Sequence, residues 1–290
     1  MEMGRNSTVR KAVILGIAYV ALATGCVATA WAKSYDFART EITADVHRDG
    51  SMHVREVRDY VFDGTFHHAY RIIELPRGTE IRNFAVSEQG RAYRRGGGER
   101  PGTFLTSRTG GSFRADWYYE ASDETRTFVI DYDVLGAVER HADHAELYWQ
   151  FIGREWDVPS ARTRIAVILP PGAKRDDIRA WAHGPLWGNT TIADGRVDFT
   201  CEPLPANRMI EPRILFPREL IASSPRSDSA VVLQRVLDEE GRLAEQANQE
   251  RREARRYVAA ARENASAAPY ENERLTGLRT GAGAVVPAFL

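Results

Sequence analysis

Ala145-Glu146-Leu147-Tyr148-Trp149-Gln150-Phe151 decides the fold class, because Ala145, Leu147, Trp149 and Phe151 share one side of an extended chain. A period of two marks a strand with one buried face and one wet face. The same alternation recurs upstream. Phe128, Ile130, Tyr132 and Val134 lie opposite Asp131 and Asp133, and Ile42, Ala44 and Val46 alternate with Glu41, Thr43 and Asp45. Met52 to Phe62 alternates less cleanly, with Val57 and Val61 out of phase with Tyr60 and Phe62. A β-bulge, or a strand buried on both faces, is the expectation there.

Turn chemistry agrees. Asp49-Gly50, Asp63-Gly64 and Asp194-Gly195 each separate two strand-like runs. Asp-Gly is a preferred two-residue hairpin loop, since both positions take positive φ. Short strands joined by hairpins, with no helical periods between them, predict a mostly β fold: an antiparallel β-sandwich, immunoglobulin-like in general character, over residues 33–222. Between Gln89 and Gly111 the pattern fails, and Arg94-Arg95-Gly96-Gly97-Gly98-Glu99-Arg100-Pro101 reads as a mobile surface loop. It lacks the Gly-Lys-Ser/Thr ending of a phosphate loop and precedes no helix.

After Ser223-Ser224-Pro225 the period changes. Leu233, Val236, Leu237, Leu243, Ala244, Ala247, Ala254, Tyr257, Val258 and Ala261 recur near the coiled-coil spacing, which predicts a charged amphipathic helix over residues 228–265. Asp228 is its expected N-cap. Asp238, Glu239 and Glu240 come early and Arg251, Arg252, Arg255 and Arg256 late, an order that suits the helix dipole. Its stripe is narrow and rich in alanine. The expectation is an arm that protrudes and engages a protein partner or a second copy, its removal leaving the β domain intact. Residues 266–290 read as a disordered tail.

The other end fixes the compartment. No charge interrupts Ala12 to Ala32, Arg5, Arg10 and Lys11 precede that run, and Ala30-Trp31-Ala32 closes it. Residues 1–32 therefore read as a secretory signal peptide or an uncleaved N-terminal anchor in the membrane. Leu22-Ala23-Thr24-Gly25-Cys26 also resembles a lipoprotein box. The expected location is exported: the outer face of the cytoplasmic membrane, the periplasm or the extracellular space. A net charge of −1 over 290 residues argues against a nucleic-acid partner. With Cys26 in the leader, Cys201 stands alone and reads as a buried small hydrophobe.

Candidate sites are few. His141, Asp143, His144 and Glu146 carry metal-ligating groups, but strand geometry puts Asp143 opposite His144 and Glu146, so the expectation is no bound metal and no cofactor. His67-His68 could approach them only through the fold. Glu146, Glu155 and Asp157 offer carboxylates of the kind a glycosidase uses, with nothing to fix their separation. No Gly-x-Ser-x-Gly elbow occurs, and no catalytic residue is identifiable. Trp149 reads as core, whereas Trp117, Trp156, Trp181 and Trp187 stack on sugars only if exposed; core or rim packing is the expectation for these four, with Trp156, Trp181 and Trp187 the candidate ligand surface.

The run from Asp143 to Pro159, with its Glu146-Leu147-Tyr148-Trp149 and Trp156-Asp157-Val158-Pro159 segments, resembles domain-of-unknown-function family 2207. Asp49-Gly50-Ser51 and His183-Gly184-Pro185-Leu186 extend that resemblance over about Tyr35 to Ile221. It implies predicted membrane proteins with an extracytoplasmic β-rich domain followed by transmembrane helices, and no established catalytic residues. After Ile221 this sequence departs from the pattern, since no second long apolar run follows. The expected function is a binding or structural role at the cell envelope. The alternative is an envelope enzyme or carbohydrate-binding module acting on cell-wall glycans.

Overall fold

The structure, a computed structural model, describes residues 33–267. The signal, anchor and lipidation readings of residues 1–32, and the tail from residue 268 onward, lie outside the described residues. In chain order the strands are β1 (Ser34–Val46), β2 (Met52–Asp63), β3 (Thr65–Glu74), β4 (Glu80–Glu88), β5 (Arg91–Ala92), β6 (Arg94–Arg95), β7 (Thr103–Thr109) and β8 (Ser112–Ser122). Then follow β9 (Thr125–Leu135), β10 (Val138–Arg140), β11 (His144–Tyr148), β12 (Thr163–Ile168), β13 (Arg179–His183), β14 (Asn189–Ala193), β15 (Arg196–Cys201) and β16 (Glu211–Pro217). One long helix, α1 (Leu233–Ala267), ends the described chain. The fold is the expected one: mostly β, largely antiparallel, with a C-terminal helix.

Three sheets share one core. The largest runs β14-β15-β12-β1-β2-β9-β4-β5, the second β3-β8-β7-β6, the third β10-β11-β16-β13. The first two pack face to face through aromatic rings: Phe128 of β9 meets Tyr119 and Trp117 of β8 at centroid distances of 4.8 and 5.9 Å. Trp149 and Phe151 extend the same core from the segment after β11. Aromatic pairs at such distances add to the burial free energy of the rings.

Several local expectations are corrected. β2 pairs with β9 without interruption from Met52 to Val61, so it carries no bulge there. Its alternation is regular once Glu56 and Arg58 are counted as inward: Met52, Val54, Glu56, Arg58, Tyr60 and Phe62 are buried, while Val61 is exposed. The register shift falls between Phe37 and Arg39 of β1. Asp194-Gly195 is a two-residue hairpin between paired Ala193 and Arg196. Asp63-Gly64 instead is a corner where the chain leaves one sheet for another, since β2 and β3 have different neighbours. In all three Asp-Gly pairs only the glycine takes positive φ. The segment around Arg94 is not a bare loop but contributes β5 and β6 to sheet edges.

The largest correction concerns α1. Val232 and Val236 are fully buried against Leu215, with Trp181 and Leu233 packed beside them. Burying two valines contributes roughly 1.5–3 kcal/mol each, so the first turns of the helix are docked on the third sheet rather than protruding. The start is capped by Asp143, whose carboxylate accepts the Val232 N–H at 3.0 Å and the Leu233 N–H at 2.9 Å. Asp228, the expected N-cap, lies before the helix and contacts the His141 ring at 2.9 Å. Further along, Leu243 is 44% exposed. Among the described residues no helix is long and apolar enough to cross a membrane.

Candidate functional site

Two buried ionic clusters follow from strand register. The first grows from β2 and β3. Inward alternation places Glu56 and Arg58 on β2 and Arg71 on β3 inside the core, at 0%, 2% and 2% exposure. Ionised groups are tolerated there only when paired. Arg58 Nη2 donates to Glu56 Oε2, Arg71 Nε donates to Glu56 Oε1 at 3.4 Å, and the Tyr132 hydroxyl donates to the same oxygen at 2.8 Å. Burial pushes the Glu56 carboxyl up, but Arg58 and Arg71 outweigh it and hold the group below its usual range. Burial, reinforced by the Glu56 charge, keeps the Tyr132 hydroxyl protonated.

Over this cluster lies a pocket of about 220 Å³ between β1, β2 and β3, closed by the segment after Ile152. Its aromatic walls come from cross-strand pairing. Tyr35 faces Phe62 and Phe37 faces Tyr60 across β1 and β2, while Phe66 and Tyr119 add the opposite side. Trp156 packs on Phe37 at 4.9 Å, and the Arg58 guanidinium sits over its ring at 4.2 Å. Arg58 Nε is buried without a hydrogen-bond partner. Glu155 reaches Arg71 Nη1 at 3.3 Å while remaining partly exposed. Its carboxylate lies where a Cβ on residue 153 would stand, 1.8 Å from Oε2, so that approach requires Gly153. The Tyr35 hydroxyl donates to Asp157 at 3.3 Å.

The second cluster lies between the third sheet and α1. Pairing of β11, β16 and β13 aligns Glu146 with Leu215, Tyr148 with Arg213, Arg213 with Trp181 and Glu211 with His183, all on one face. Arg213 donates to Glu146 at 2.6 Å and to Glu239 and Glu240 of the helix at 2.9 and 3.0 Å. His183 meets Glu240 at 3.0 Å and Glu211 at 3.5 Å, and hydrogen bonds to those carboxylates raise its pKa to about 9. Every charge here has a partner in the protein.

The residues singled out from the sequence are brought together only in pairs, not as one site. His141 contacts Glu146 and Asp228, Asp143 caps α1, and His144 is 3.6 Å from Asp143. Only His141 of that set joins Glu139 and Asp228 in a group of ligand-bearing atoms within 4.8 Å of one another, and Arg226 already holds Glu139 at 2.5 Å. His68 pairs with Asp116, away from His141. Glu146 is buried under the helix, whereas Glu155 and Asp157 rim the pocket. Trp117 is core, Trp156 lines the pocket, Trp181 packs beside α1, and Trp187 is 54% exposed. The three tryptophans of the candidate surface thus do not form one. Cys201 is buried and free, and burial pushes its thiol up to about 11. Sequence reasoning missed Glu56, Arg58 and Arg71. The signal was the broken alternation of β2, which becomes regular when charged residues are allowed on the core face.

The family model described as "Predicted membrane protein (DUF2207) N-terminal domain" matches residues 36–216. No curated protein matches the chain. Among solved structures, an M1 zinc metallopeptidase from Deinococcus radiodurans is similar at 13% identity and a TM-score of 0.34, over 63% of this chain and 42% of that one. A putative protease from Parabacteroides distasonis aligns at 10% identity and TM-score 0.37, over 62% and 40%. A putative nutrient binding protein from Legionella pneumophila aligns at 9% identity and TM-score 0.37, over 62% and 66%. The chain spans about two fifths of the metallopeptidase chain it matches.

Proposed function

The chain belongs to this family of predicted membrane proteins, and from that premise we propose that its β domain is a binding module held at the outer face of the cytoplasmic membrane. The aromatic pocket carries the reading. It is concave, largely apolar, and has a few converging polar groups, which is the character of small-ligand sites. Export rests on the basic residues and apolar run of residues 1–32. A structural role alone leaves the pocket and the unpartnered Arg58 Nε without a use.

Two experiments test this. A reporter active only after export, fused after residue 222, should be active; activity confined to a reporter that requires the cytoplasm overturns the location. Benzyl alcohol, observed by saturation-transfer NMR, should contact the wild-type protein saturably. It should lose that contact in Ala69→Phe, which fills the pocket wall. Equal contact in both proteins, or none in either, overturns the pocket as a binding site.

A second reading concerns the far part of α1. Leu243, Ala244 and Ala247 line a groove of about 700 Å³ against Trp181, Phe199 and Ile210. The exposure of Leu243 supports contact with a protein partner or a second copy through this part of residues 228–265. Leu243→Glu should then reduce the sedimenting mass of the assembly. An unchanged mass that is already monomeric counts against self-association.

A further inference from the structure

We propose that the pocket recognises a small monocarboxylate attached to a single ring or branched apolar group, the carboxylate taking the place of Glu155 beside Arg58 and Arg71. This deepens the binding reading above and rests on it. The size limit comes from the cavity: roughly 150 Å³ suffices for benzene, so about 220 Å³ admits one ring with a short substituent.

The charge comes from the floor. Two guanidinium groups are almost fully buried against one fully buried carboxylate, Glu56. Glu155 supplies the balancing charge, but only from a partly exposed side chain through a single 3.3 Å contact with Arg71. Arg58 keeps a buried Nε–H with no acceptor. A buried donor without a partner is unfavourable, and an acceptor oxygen from a ligand would satisfy it. Guanidinium groups are also suited to carboxylates by their planar array of donors.

A cationic ligand fits less well, although aromatic walls can hold one. The Trp156 ring already carries Arg58 at 4.2 Å, and the Phe66 ring carries Lys33 Nζ at 4.7 Å. The protein's own cations thus occupy these two rings, and a further one would enter beside two buried guanidinium groups.

The test uses three probes with the same body and different heads: 3-phenylpropionate, 3-phenylpropan-1-ol and 3-phenylpropylamine. Each is titrated calorimetrically into the full chain in lipid nanodiscs. The carboxylate should bind tightest, by about tenfold or more over the alcohol, as expected for a charge-assisted hydrogen bond to guanidinium groups. Glu155→Gln should tighten the carboxylate severalfold and leave the alcohol unchanged, because it removes the internal competitor for Arg71. Arg58→Lys, which keeps the charge toward Glu56 but removes the Nε–H, should abolish most of the preference. If that variant does not fold, Glu155→Gln decides alone. Equal binding of carboxylate and alcohol, or preference for the amine, overturns the inference while leaving the pocket a binding site. Failure of all three probes overturns both.

Discussion

The two buried ionic clusters use the same residue types and differ in what surrounds them. Glu56, Arg58 and Arg71 are built into β2 and β3, between sheets that cannot separate without unfolding the domain. Glu146, Arg213, His183 and Glu240 lie between a sheet and a helix whose docking core, among the described residues, is Leu215, Val232 and Val236 with Trp181 and Leu233 partly buried beside them. Every charge of the second cluster is answered within the protein, whereas the first leaves one donor free beside a cavity. Complete pairing fits a fastening role. A spare donor beside a pocket fits recognition.

The first way to break this comparison is Glu56→Ala. It strands two buried guanidinium groups and the Tyr132 hydroxyl without their shared acceptor, and should cost about 3–5 kcal/mol. Urea denaturation would measure the loss. A change under 1 kcal/mol would mean that water reaches the cluster.

Glu240→Ala removes a similarly buried carboxylate and should cost less, about 1–2 kcal/mol. The helix can lift and let Arg213 hydrate, so the penalty is capped by the free energy of local opening. Hydrogen exchange should quicken at the start of α1 and stay slow in β2 and β9. Uniform loss of protection would show that the helix is inseparable from the core.

The fastening should also respond to pH. The His183 pKa is raised from 6.5 to about 9 in the folded protein by its bonds to Glu211 and Glu240. Its contribution is therefore complete below about 6.5 and is lost as pH rises toward 9. Wild type should lose melting temperature across that window relative to His183→Gln. Parallel profiles would remove His183 from the latch. On the acid side, the His183 hydrogen bond lowers Glu211. Glu240 is lowered despite burial by His183 and Arg213. Their contribution is present above 4.5 and is lost as pH falls through their lowered values.

The smallest effect sharpens the contrast from outside both clusters. Trp187→Ala, at a ring that is 54% exposed and donates its indole N–H to the Pro203 carbonyl at 2.9 Å, should cost no more than about 1 kcal/mol and leave probe binding intact. A larger loss would place Trp187 in a contact that its exposure conceals.

Much of the strand pattern was legible because one wet face makes alternation visible, as in Phe128 to Val134. β2 was obscured because its inward positions carry Glu56 and Arg58, and polarity at those positions imitates a phase break. Glu146 was read as wet for a complementary reason. It does lie opposite Ala145 and Leu147, but a distant helix covers that face. The N-cap was misplaced because Asp143, 89 residues before Val232, supplies the carboxylate that the local sequence offers in Asp228.

The sequence by itself determined the fold class, the strands whose outer face is wet, the change to a final helix, and the family resemblance through its Glu146–Trp149 and Trp156–Pro159 segments. These depend on side-chain period and local order, which need no partner distant in the chain. Only the tertiary structure decided that Glu56, Arg58 and Arg71 meet beneath Trp156, that α1 is fastened to β16, and that His141, Asp143, His144 and Glu146 are divided among different tasks. Whether a charged side chain is solvated, paired or aimed at a cavity depends on which sheets and helices close over it, and that closure is set by contacts between residues far apart in sequence.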